Sequence, residues 1–304
     1  MEHSVTAPRP AALAGAGLVL IAAIGFSAKA IFVKLAYRYA VDPVTLLALR
    51  MLLSLPFFIG AAFWSRRRRA PRLDKRDWSN VLFLGVVGYY LASLFDFLGL
   101  QYVTAGLERL VLFLYPTLVV LITLVRFRRP IGRVELLALV LSYGGIGFVF
   151  LHDLRVEGTN VPLGTALVFA SALAYATYLV GAGELVHRIG TLRFTAYVLT
   201  VSCLAVVVQF LLTHPVNALV QPTPVYALAL AMALVSTVMP AFLLTAGIRR
   251  IGARTAALIG AVGPVSTIAL AAVFLGEPIS AVQILGAALV LIGVITVSLR
   301  QRRT

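Results

Sequence analysis

Charge is scarce in this chain, and acidic charge is scarcest. Only 12% of its 304 residues are Asp, Glu, Lys or Arg, and just 11 are acidic. A soluble domain carries about 25% charged residues. With 61% of residues hydrophobic, no soluble fold of this length could hide the apolar side chains, so a lipid bilayer must act as second solvent. Cysteine is nearly missing too. The single Cys203 excludes an intrachain disulfide and leaves no Cys-based metal site. His3, His152, His187 and His214 fall at the tail or in loops and form no HExxH pair. No Gly-x-x-x-x-Gly-Lys loop is present to hold ATP. A membrane enzyme would need a convergent nucleophile, base or metal. None is evident, so we expect a non-enzyme without metal or cofactor.

What is present is a succession of apolar runs. They predict ten spans near 12–36, 43–64, 80–101, 105–125, 134–151, 162–183, 194–213, 225–248, 254–275 and 280–299. The first run is too long for a signal-peptide core and is read as a retained span. The net charge of +15 admits two readings, a polyanion partner or membrane topology. The distribution favours topology and argues against nucleic acid. Arg9, the cluster within 66–76, Arg126, Arg128, Arg129, Arg133, Arg188, Arg193, Arg249, Arg250, Arg254 and the last arginines share one side, whereas Arg38 and Arg155 lie on the other. By the positive-inside rule both termini are cytoplasmic, in a plasma or bacterial inner membrane. Trp64 and Trp78 flank the basic loop as interfacial aromatics do, and Asp153 and Glu157 are placed in an external loop.

The halves resemble each other at a constant offset of about 148 residues. Gly99 matches Gly247, Ala105 matches Ala253, Pro116 matches Pro264, Pro130 matches Pro278, and Gly145 matches Gly293. Five spans per half is an odd number, so the second half enters the membrane upside down. Inverted repeats of this kind characterise secondary transporters. The expected architecture is all-α: two inverted five-helix repeats, 12–151 and 162–299, around a central cavity, with tails at 1–11 and 300–304.

Gly260-Ala261-Val262-Gly263-Pro264-Val265, then Leu275-Gly276-Glu277-Pro278, Gln283, Gly286 and Gly293, resemble the second repeat of the drug/metabolite transporter superfamily, EamA type. Pro43, Ala48-Leu49-Arg50 and Leu114-Tyr115-Pro116 give the related pattern in the first half. Arg128-Arg129-Pro130 departs from it where the second half has Gly276-Glu277-Pro278. The resemblance covers about 12–299. It implies ten helices, a site built from spans 1, 3, 4, 6, 8 and 9, and export or exchange of metabolites. The chain is most similar to the amino-acid exporters, including the aromatic amino-acid branch.

Ionisable residues inside spans are costly and tend to face a bundle interior. Asp96 is the most interior, with Tyr89 and Ser93 on nearby faces of the same span. It faces a substrate amine, or it pairs with Lys29 or Arg109. Lys29 meets a substrate carboxylate or an acidic residue; Lys34 snorkels, and Arg50 is structural. Glu108 and Arg109 open span 4 and project about 100° apart, so they cannot both face one point: one faces the cavity mouth or a gate partner, or the two form an interfacial charge pair. Tyr175 and Tyr178 form a stripe suited to a metabolite or to plain packing, and Thr237 lies in span 8 opposite Tyr89 in the repeat. Pro116, Pro240 and Pro264 free backbone carbonyls and permit bends. The expected partners are a small molecule, an amino acid or similar metabolite, and lipid. A homodimer is compatible with the sequence but not required by it. A channel-like facilitator or a cationic-drug exporter is the alternative reading.

Overall fold

The computed structural model describes residues 9–66, 73–127, 132–157 and 160–300. Arg128-Arg129-Pro130, the middle of the basic loop and both chain ends therefore lie outside the described residues.

Among the described residues, ten apolar helices make the fold. Eight are long enough to cross a bilayer: α1 (Leu13–Tyr37), α2 (Pro43–Ser65), α3 (Lys75–Gly99), α4 (Ala105–Val125), α5 (Leu136–Leu154), α6 (Val161–Ala182), α7 (Thr191–Thr213) and α8 (Thr223–Gly252). Two are shorter: α9 (Val262–Leu275) and α10 (Ala281–Thr296). Helical turns from Gly252 lead into α9, and Gly252 bends the backbone there with φ 79° and ψ 156°. Only glycine takes that conformation without strain. No strand occurs among the described residues. Large apolar side chains such as Leu212, Val125 and Val273 point outward, which suits hydrocarbon rather than water.

Two boundaries differ from the hydropathy reading. α3 starts at Lys75, not near 80, because its first turn is polar and held by a capping box. Asp74 accepts the Asp77 N–H at 2.7 Å, and Asp77 accepts the Asp74 N–H at 3.0 Å. Arg188, at the end of the helix that contains α6, adds ion pairs to Asp77 at 2.6 Å and Asp74 at 3.3 Å. The Asp77 N–H, and after it Arg188, hold the Asp74 carboxyl below the usual carboxylate range. The second difference is Asp153. It lies within the helix Arg133–Glu157 rather than in an external loop, and it is buried. Its carboxylate accepts the Thr104 hydroxyl at 2.6 Å, while Thr104 caps α4 by accepting the Leu107 N–H. That partner is what lets a carboxylate sit inside.

The repeat is written into the backbone irregularities. α3 carries a π-helical stretch at Val86–Leu91, and α8 carries one at Leu234–Val238, about 148 residues later. α4 breaks at Phe113–Leu114, and the helix before α9 breaks at Ala261, again at that offset. The packing repeats as well. A Cβ on Gly99 of α3 would fall 2.9 Å from the Gly164 carbonyl of α6. A Cβ on Gly247 of α8 would fall 3.0 Å from the Gly15 carbonyl of α1. Each half thus seats its third helix on the first helix of the other half. α5 and α10 pair with each other through Gly145 against Gly286 and Gly293 against Ala138. Glycine at these crossings lets the backbones approach where hydrophobicity cannot drive association.

Candidate functional site

The interface between the halves gathers most of the intramembrane charge. Lys29 of α1 places its ammonium 2.5 Å from the Asp96 carboxylate of α3 and 3.2 Å from the Glu108 carboxylate of α4. Asp96 and Glu108 are 2% and 0% exposed. The Asp96 contact is a hydrogen bond; the Glu108 contact lacks that alignment, and neither Glu108 oxygen is hydrogen-bonded. One Asp96 oxygen is likewise without a partner. The sequence left Asp96 two partners, and the structure selects Lys29.

Arg50 of α2 is buried beside this cluster. Its Nε donates to Thr237 Oγ1 at 2.9 Å, and its guanidinium lies 5.5 Å from the Phe97 ring centre. Thr237 passes the bond on to the Met232 carbonyl, five residues back in the π-helical stretch of α8. Thr237 is therefore a link between Arg50 and α8.

Glu108 and Arg109 diverge, as their adjacency requires. Glu108 faces Lys29, whereas Arg109 turns toward Tyr115 and Tyr175 and packs against Gly263. A Cβ at Gly263 would stand 2.7 Å from an Arg109 nitrogen, so a larger residue there would require the guanidinium to shift. The Arg109 Nε is buried without a hydrogen-bond partner.

The tyrosines form one group. Tyr89 meets Tyr178 edge-on at 5.2 Å, Tyr175 meets Tyr115 edge-on at 5.2 Å, and Tyr175 stacks on Tyr178 at 5.7 Å. Tyr178 is also laid against Gly88 in the π-helical stretch of α3, where no Cβ would fit. Ser93 is half-buried one turn from Tyr89 but is not drawn into this group. Tyr115 belongs here although only its neighbour Pro116 stood out in the sequence. Ser27 joins the site too: its one hydroxyl proton lies between the Ala23 carbonyl of its own helix at 2.8 Å and the Gly263 carbonyl at 3.0 Å, next to α9. A serine among alanines in an apolar helix was the available signal.

Each proline follows a break. Pro116 and Pro264 sit just after the interruptions of α4 and of the helix before α9, and Pro240 follows the π stretch of α8. A proline in the first turn needs no N–H partner, so the interruption accommodates it.

In this conformer Asp96 and Glu108 are buried, while the Lys29 side chain keeps 15% of its surface exposed. The two best-formed cavities border α2, α7 and α8, or α4, α9 and α10; the first holds about 10 Å³, and neither touches Lys29, Asp96 or Glu108. That is room for about one water, far below a metabolite. On the side where α3 ends, Glu277 accepts the Ala105 N–H at 3.1 Å and so caps α4 from the other half. Arg38 there donates to the Leu275 carbonyl at 3.2 Å. Among the described residues, no group of three or more His, Cys, Asp or Glu could hold a metal.

The model of the EamA-like transporter family matches residues 13–151 and again 162–299. The uncharacterized transporter YcbK of Bacillus subtilis is 35% identical over 283 residues, covering 90% of this chain and 89% of its own. The uncharacterized transporter YyaM of the same organism is 24% identical, covering 74% of each chain. A solved crystal structure at 20% identity superimposes with a TM-score of 0.64 over 97% of this chain and 98% of its own, which shows a shared fold. With ten apolar helices among the described residues and the family pattern met twice, the chain belongs to the EamA-like transporter family.

Proposed function

We propose that this transporter carries amino acids or related small metabolites by alternating access, and that the interface cluster is its substrate site. The observation behind this reading is the mixed-charge cluster with buried carboxylates in the first half, joined to the second half by the Arg50–Thr237 bond and by Arg109 against Gly263. Lys29, Arg50 and Arg109 set three cations against Asp96 and Glu108. A zwitterion fits such a place. Its ammonium would take over the carboxylate valences that Asp96 leaves unmet, and its carboxylate would engage Arg109 Nε or Lys29. Tyr89, Tyr115, Tyr175 and Tyr178 would line an apolar or aromatic side chain, with Ser93 and Thr237 as polar neighbours. Glu108 and Arg109 would respond to opening.

We take 12–151 and 162–299 as the two repeat units, which rock about the site, and 1–11 and 300–304 as tails. The excess of Lys and Arg on one side supports both termini in the cytoplasm of a plasma membrane; on that reading the face that carries Glu277 and Arg38 is external and export is the natural direction.

The test is counterflow in liposomes. Purified protein is reconstituted, and entry of labelled amino acids is followed with and without unlabelled amino acid inside. Saturable entry stimulated from inside supports a carrier of that class. Entry without trans-stimulation would favour a channel-like facilitator. Exchange of organic cations but of no amino acid would replace the substrate class.

A further inference from the structure

Lys29 supplies one ammonium to two buried carboxylates. An ionised carboxylate held away from water without hydrogen bonds costs several kcal/mol, by about the margin that drives such groups to neutralise instead. Asp96 meets that cost with its bond to Lys29 at 2.5 Å. Glu108 does not: it is fully buried, 3.2 Å from Lys29 out of alignment, and neither oxygen has a hydrogen-bond partner.

The surroundings can be read helix by helix. α1 brings Lys29, α3 brings Asp96, and Arg109 adjoins Glu108 but turns to the tyrosines. From the second half, the segment between α9 and α10 brings Glu277, engaged at the Ala105 N–H, while α9 and α10 bring the neutral Thr267 and Gln283. α5 brings Asp153, already bonded to Thr104, and α6 brings Tyr175 and Tyr178. The charges nearest Glu108 are thus one cation, already paired, and one facing carboxylate. Asp96 and Glu108 converge on one ammonium, at 2.5 and 3.2 Å, so the two carboxylates are neighbours, and an Asp96 oxygen is vacant to accept a proton's bond.

The geometry points to Glu108 as a proton-binding site: in this conformer Glu108 is a neutral acid whose O–H donates to Asp96, which is held in turn by Lys29. The proton comes from water when Glu108 is exposed and returns to water when it is exposed again. No other bond forms or breaks. Protonation of Glu108 therefore favours this buried arrangement, so acid stabilises it and alkali favours conformers that expose Glu108. The proton site stands on the cluster itself; only its link to amino-acid movement rests on the transport reading.

Infrared titration of the full chain in lipid nanodiscs tests it. The wild type should show a carboxylic-acid C=O band at neutral pH that is lost on alkalinisation. Glu108→Gln should lack that band. Asp96→Asn removes the facing negative charge, so the Glu108 band should vanish at lower pH than in the wild type; this holds even if Glu108→Gln fails to fold. A wild type with no acid band at neutral pH, a band that survives in Glu108→Gln, or one unmoved in Asp96→Asn would overturn the assignment. A band that titrates as stated in protein that exchanges no amino acid would leave the proton site standing and remove the amino-acid reading.

Discussion

Lys29 and Asp96, 67 residues apart in sequence, meet 2.5 Å apart between α1 and α3, two helices of the first half. Breaking a buried pair from one side leaves an unpaired charge and costs about 3–5 kcal/mol. Lys29→Met should therefore destabilise the protein by about that much, measured as denaturant unfolding in detergent. The double change Lys29→Met with Asp96→Leu should recover most of the loss, because the stranded carboxylate goes too.

Thr237 and Arg50 should behave as a unit. Thr237→Val keeps the shape but removes the acceptor of the buried Arg50 Nε, at a cost of about 1–3 kcal/mol. Arg50→Lys keeps the charge but lacks a planar nitrogen at the Nε position, so it should not restore the link. Unfolding of both variants and their combination gives the coupling energy.

Glycines divide sharply by what faces them. Gly88→Ala would drive a methyl into Tyr178, a backbone-anchored ring, and should cost about 1–3 kcal/mol while perturbing the tyrosine group. Gly144→Ala in α5 meets nothing within 4 Å and should leave stability within about 0.5 kcal/mol. Thermal unfolding of the two proteins side by side makes the comparison.

The start of α3 should loosen in acid. Asp74 titrates below the usual carboxylate range when folded, so its contribution is present above the ordinary value of about 4 and is lost as pH falls through the lower folded value. Hydrogen exchange at Asp77 and Trp78 should rise below about pH 4. Arg188→Ala should raise it less than Asp74→Ala, since the cap outlasts the ion pair.

Much of this was legible in the sequence. Apolar runs gave the helices, because lipid permits no other reading of their length. Paired glycines and prolines at one offset exposed the repeat, and they mark the same places where the backbone breaks and the halves approach. Lys29 and Asp96 could be named as a candidate pair because charge inside a span must find a partner. The π-helical stretches were not legible: Val86–Leu91 and Leu234–Val238 differ from ordinary helix in hydrogen-bond register, not in hydrophobic pattern. Asp153 was misplaced because its partner, Thr104, lies in another helix connection, beyond the reach of local hydropathy. Tyr115 escaped notice because its role depends on Tyr175, brought in by the other half.

The central claim is that the cluster around Asp96 is where substrate is carried. It is tested most directly by counterflow of labelled amino acid into liposomes holding equal amounts of folded wild-type and Asp96→Ala protein. Loss of a charged contact worth more than about 1.4 kcal/mol should slow exchange by about tenfold or more while insertion and folding persist. Exchange at the wild-type rate in the Asp96→Ala protein would contradict the account and remove Asp96 from the site.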